Sequence, residues 1–148
     1  MTDYASTVRD SIENFGFHLT YVGSDDSPPF CYSTGIFEKH SIPEIFISSL
    51  PPNLCHELIS GYINRFGENE PPINRRINAI DEQFDYFLIP VTLDRLAEYV
   101  LASFEYYENS PFEYVQLIYP DVALRFPGEP NYDYDQEILG AFPPPSVA

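Results

Sequence analysis

Cys31, His40 and Glu44 put a thiol, an imidazole and a carboxylate within one short stretch of the chain. Brought together in space, such groups make a nucleophile, its base and the group that orients the base. Their spacing does not by itself bring them together. Cys31 alternates with Phe30 and Tyr32 and can equally point into a core, where a structural cysteine is inert. The reading therefore assigns no catalytic residue. Cys55 and His56 are neighbours on an expected helix and face different ways, which argues against a joint metal site. With three histidines and no HExxH or CxxC pair, zinc has no support either. Asp133-Tyr134-Asp135-Gln136-Glu137 resembles the start of a calcium loop, but it lacks the glycine at the sixth place and the glutamate at the twelfth. No glycine-rich phosphate loop or Ser–His–Asp signature is present. No metal and no cofactor is expected.

Glu44 and Asp121 are the carboxylates best placed for chemistry. Each follows a proline at the edge of an expected strand. With Tyr32, Thr34 and Arg125 they could line one polar pocket at the end of a sheet, and paired carboxylates do acid–base work when their environments differ. The competing reading, which we prefer, makes them caps and salt bridges that stabilise two turns.

The charge is one-sided. There are 23 acids against 7 bases, a single lysine (Lys39) and a net charge of −16. DNA, RNA and anionic membranes are poor partners for such a surface, since binding their phosphates needs Lys and Arg. An acidic cytosolic or halophilic protein fits the charge, and so does a surface shaped for a basic protein. Tyrosines interleave with acids in the segment Gly128–Glu137. Tyrosine supplies contact area at low entropic cost, and acids steer a basic partner. Glu129, Tyr132, Asp133, Tyr134, Asp135 and Glu137 are therefore the candidate partner-binding residues. The alternative is a solvated acidic loop packed by its own tyrosines.

These residues need a scaffold. Tyr4, Val8, Ile12 and Phe15 fall on one helical face, with Gly16 as a C-terminal stop. Phe17–Val22 reads as a strand with Phe17, Leu19 and Tyr21 on one side, and Gly23–Ser27 as a turn. Ser27–Gly35 is a proline-gated strand that ends on glycine. Ile36–Ser41 is a short connection, and Glu44–Ser49 the next strand. Pro51 and Pro52 open a helix that runs to Phe66. Its Ser60-Gly61 interior suggests a close packing contact. An excursion follows with a short strand near Ile77–Ile80. A strand over Phe84–Val91 comes next, then a helix from Thr92 or Asp94 to Tyr107. A turn at Asn109–Pro111 leads to a strand over Glu113–Tyr119. This pattern predicts an α+β fold: a single domain with a mixed sheet of about five strands and three packing helices. The domain spans 1–142, with a proline-rich tail at 143–148. Cys31 and Cys55 are expected as free thiols. The N-terminal stretch has no basic region followed by an apolar run, so no signal peptide and a cytoplasmic location are expected.

PPFCYSTGIFEKHSIPEIFISSLPP at 28–52, with the helix after it, and VQLIYPDVALRFPGEPNYD at 115–133 resemble the bacterial family known as domain of unknown function 4262. The resemblance covers roughly residues 15–135. The chain departs from the family pattern in two places. Gly128 stands where the family usually has tryptophan, and HSIPE replaces the commoner Gly-His-Pro-Glu. The family implies a fold and brings no established reaction.

The function expected is that of an intracellular bacterial binding protein. Specifically, we expect an immunity protein that neutralises a toxin, such as a nuclease or an ADP-ribosyltransferase, by covering its basic active site. A DNA mimic is a further reading, and would need its acids spaced like duplex phosphates. The rival is a small enzyme or ligand-binding domain with a pocket around Glu44 and Asp121.

Overall fold

The computed structural model describes residues 4–23, 28–67, 69–80, 82–108 and 110–143. The turn expected at Gly23–Ser27 and the tail expected at 143–148 lie largely outside the described residues, as does Asn109 of the turn before the last strand.

The chain opens with α1 (Tyr4–Phe15), which buries Val8 and Ile12 and closes where the Gly16 N–H donates to the Ile12 carbonyl. Then come β1 (His18–Val22), β2 (Phe30–Thr34), α2 (Ile36–His40), β3 (Glu44–Ser48) and α3 (Pro52–Phe66). β4 (Arg76–Ile77), β5 (Tyr86–Val91), α4 (Leu101–Tyr107) and β6 (Tyr114–Ile118) complete the order. The fold is α+β, with one open mixed sheet ordered β1-β2-β3-β6-β5-β4. Every neighbouring pair is antiparallel except β3 and β6, which run parallel with Glu44 opposite Tyr114.

Both faces of the sheet are covered. Cys31, Ile45, Ile47, Leu88, Val115 and Leu117 face α3, which brings Leu58, Ile59 and Tyr62 onto them. Tyr32, Phe46, Tyr114 and Val91 face the other way, toward Val8 and Ile12 of α1 and Ala102 and Tyr107 of α4. Both sets are buried, so the central strands read as continuous apolar runs rather than clean alternations. Beyond β6 the chain wraps the end of the sheet. Phe142 then packs edge-on against Phe87, with ring centroids 5.1 Å apart.

Some expectations need correction. The connection over Ile36–Ser41 forms the short helix α2. The helix expected from residue 92 or 94 to 107 is helical only from Leu101. Val100, at φ −100 and ψ 55, lies outside the helical region and breaks the ladder. Before it, 93–99 is a chain of tight turns in which Arg95, Leu96 and Tyr99 donate to carbonyls three residues back. Of Phe17, Leu19 and Tyr21, expected on one side of this strand, Phe17 and Leu19 pack against the α3 side and Tyr21 is exposed at the edge strand β1. Gly61 does not mark a close approach. A Cβ there would meet Glu82 Oε2 at an ordinary 3.6 Å.

The cysteines are not free thiols. Cys31 of β2 and Cys55 of α3 are joined in a disulfide, with Cα atoms 6.9 Å apart. Cys31 points to the α3 face and Cys55 is on the inward stripe of α3, so packing the helix brings the two sulfurs together.

Candidate functional site

Glu44 opens β3 and is completely buried, with no basic partner near its carboxylate among the described residues. Gly35 explains how the chain satisfies it. At φ 105 the residue is left-handed, and a Cβ there would lie 2.7 Å from Ile12 Cγ1, so only glycine fits the turn. That turn aims the backbone N–H groups of Gly35, Ile36 and Phe37 at Glu44, with N···O distances of 2.8, 3.1 and 3.1 Å. α2 has no side-chain cap of its own, and Glu44 supplies one from the next strand. Ser33 Oγ donates to Glu44 at 2.7 Å while accepting the Ile45 N–H. The Tyr107 hydroxyl also donates to Glu44 and accepts the Glu38 N–H.

The network continues beneath α4. Tyr114 donates to the Ser33 carbonyl at 2.6 Å, and Ser103 links Tyr114 to Thr34. The Tyr32 hydroxyl accepts the Ala102 N–H at 3.0 Å. Burial pushes the Glu44 carboxyl above its ordinary value, and the Tyr107 and Ser33 hydroxyls and the N–H groups act against that. Burial and the Glu44 charge push the Tyr107 and Tyr114 hydroxyls up as well. Each buried polar group described here has its partner, and solvent does not reach Glu44, Ser33 or Thr34.

Asp121 lies past the other end of β6. Because Glu44 pairs with Tyr114 at the start of that strand, the two carboxylates lie beyond opposite ends of β6, a strand whose own span is on the order of 13 Å. The five residues considered for one pocket thus divide: Tyr32, Thr34 and Glu44 at one end of the sheet, Asp121 and Arg125 at the other. Asp121 accepts the N–H groups of Ala123, Arg125 and Asp133 and the Arg125 guanidinium at 2.9 Å, which ties down the loop from 121 to 133. Burial pushes its carboxyl up, but the Arg125 and Asp133 N–H groups and the Arg125 charge pull harder and hold it below the ordinary carboxylate value. Both carboxylates therefore act as turn caps.

Cys31, His40 and Glu44 do not assemble. Cys31 is bonded to Cys55, Glu44 is enclosed by its donors, and the His40 ring lies between Gly16 and Gly67. Among the described residues no group of three or more His, Cys, Asp or Glu side chains converges to hold a metal. No helix among them is long and apolar enough to cross a membrane.

The acidic tyrosine segment wraps the Asp121 end. Tyr132 accepts from Gln136 at 2.6 Å, and Tyr134 packs on Tyr119 and Tyr132. The Glu137 carboxylate accepts from the Tyr99 hydroxyl, and its backbone is held by Ser48 and Gln116. Asp133, Tyr134, Asp135 and Glu129 stay exposed. Tyr132 and Glu137 are built into the fold and leave those four facing outward.

One open feature escaped the sequence reading. A cleft of about 640 Å³ opens at the Glu44 end, between the starts of β3 and β6, the end of β5 and the loop 69–73. Phe37, Pro71, Ile73, Leu93 and Phe112 contribute apolar surface, and Glu70 and Glu113 are its acids. Glu113 directly precedes β6, and that strand-start position was the available signal. The loop residues had none. No curated protein and no solved structure matches the chain. The family model of domain of unknown function DUF4262 matches residues 11–133, and the chain belongs to that family.

Proposed function

We propose that this is a binding protein for a basic protein partner, most specifically a cytoplasmic bacterial immunity protein that neutralises a toxin by covering its cationic active site. The observation that supports it is the placement of charge. On the side of the sheet covered by α1, α4 and the turns before α4, Asp10, Glu13, Asp94, Glu98, Glu105 and Glu108 are all exposed. Asp133 and Asp135 are exposed as well, on the segment that wraps the Asp121 end of the sheet. Among the described residues three of the seven bases are held in ion pairs, Arg65 with Glu82, Arg76 with Asp85 and Arg125 with Asp121. Carboxylates on this surface would take the place of the target's anionic substrate. Long-range attraction of this kind raises the association rate and weakens with salt. The test is retention of a basic host protein on the immobilised chain at low salt, its release as salt rises, and loss of retention in Asp133→Asn/Asp135→Asn. Failure to recover any basic protein at low salt overturns the proposal.

A second reading, a ligand-binding domain, is favoured by one observation: the open cleft beside Pro43 and Tyr114 at the Glu44 end.

A further inference from the structure

We propose that this cleft binds a small organic cation with an apolar body, a primary amine or a guanidine. The proposal rests on the second reading and names its ligand. At about 640 Å³ the space falls within the range of small-molecule sites. Its apolar side includes two aromatic rings, Phe37 and Phe112. Phe112 is fixed by stacking on Tyr107 at 4.7 Å between ring centroids, and Phe37 meets the same tyrosine edge-on. The site is therefore pre-formed on the polar network that Glu44 anchors.

The polar side points the same way. Glu70 and Glu113 line the cleft, neither is in an ion pair among the described residues, and no Lys or Arg lines it. Ser41 and Thr92 add hydroxyls that can accept from an ammonium group. An anionic ligand would meet two carboxylates and no counter-charge. A neutral one would leave those carboxylates unused.

The test is an amide NMR titration of the full chain with phenethylamine and, separately, with the neutral 2-phenylethanol. The proposal expects phenethylamine to shift the amides of Phe37, Ser41, Ile73, Leu93 and Glu113, and Glu70→Gln/Glu113→Gln to weaken that binding about tenfold. Neither substitution removes a backbone contact, and the dispersion of the spectrum reports the fold. Equal binding of both probes in the cleft overturns the cation assignment and leaves a ligand-binding domain standing. No cleft shifts with either probe overturns both. If only a lysine-bearing tripeptide moves these amides, the cleft is a protein-docking site and the small-molecule proposal fails.

Discussion

The Tyr107 hydroxyl donates to the Glu44 carboxylate across 63 residues of sequence, in a core where no cation among the described residues balances the charge. The relationship joins α4, the start of β3 and the first turn of α2 in one unit. A buried carboxylate without a counter-ion persists only when hydrogen bonds replace its water, and here five donors do so.

Removing one donor tests that unit. Tyr107→Phe keeps the ring stacked on Phe112 and deletes only the hydroxyl. A hydrogen bond to a charged group contributes about 1.5–3 kcal/mol, so urea unfolding should show a loss of that size. Glu44→Ala should cost more, because it leaves three backbone N–H groups and two hydroxyls without their acceptor. If both variants unfold at the wild-type midpoint, the network carries no stability.

The turn that feeds Glu44 is equally specific. Gly35→Ala places a methyl group 2.7 Å from Ile12 Cγ1 in a left-handed conformation. Backbone strain of this kind costs about 1–3 kcal/mol, before any displacement of α1. A midpoint unchanged from wild type would contradict the geometry.

Reduction of Cys31–Cys55 should destabilise the fold. The bond closes a loop with a sequence separation of 24. The chain-entropy relation then gives about 3.5 kcal/mol, read as the difference in urea unfolding with and without reductant. Equal stability in both conditions, with the thiols shown to be alkylated only after unfolding, would show that the cross-link contributes nothing.

Asp121 sets an acid limit on the loop it caps. Its carboxyl is held below the ordinary value, so folding favours the ionised form. The stabilisation is complete above the unfolded carboxylate value, about 3.9, and is lost as pH falls through the lower folded value. The chain has no tryptophan, and Tyr119, Tyr132 and Tyr134 pack on one another beside this loop, so tyrosine fluorescence follows it. The wild type should lose stability across that acid window, and Asp121→Asn should start lower and show a flatter dependence. Identical profiles would remove Asp121 from this role.

The strands and α3 were legible because their signals are local. Tyr86–Val91 and Tyr114–Ile118 are short β-rich runs, and the stripe Leu58, Ile59, Tyr62, Phe66 has helical spacing. Glu44 and Asp121 were legible as turn-bound carboxylates because each follows a proline at a strand edge. Their separation was not, since it depends on β6 lying parallel to β3, a pairing made between distant segments. The Cys31–Cys55 bond was hidden for the same reason: each cysteine shows its face only once α3 is packed on the sheet. The break at Val100 was masked by the stripe Leu96, Val100 and Phe104, whose apolar spacing matches a helix even though tight turns deliver the first two residues to the same core. The cleft depends on a loop without periodicity, and Glu70 carries no sequence signal of its own.

The central claim is that exposed carboxylates recruit a basic protein, and the most direct measurement is protection in the cell. The basic protein captured by this chain is expressed with it, and growth is compared with a chain carrying Asp133→Asn/Asp135→Asn. The account predicts that the wild-type chain restores growth, that the variant folds normally yet protects poorly, and that complex formation in vitro weakens as salt rises. Full protection by the variant, or a complex indifferent to salt, would contradict it.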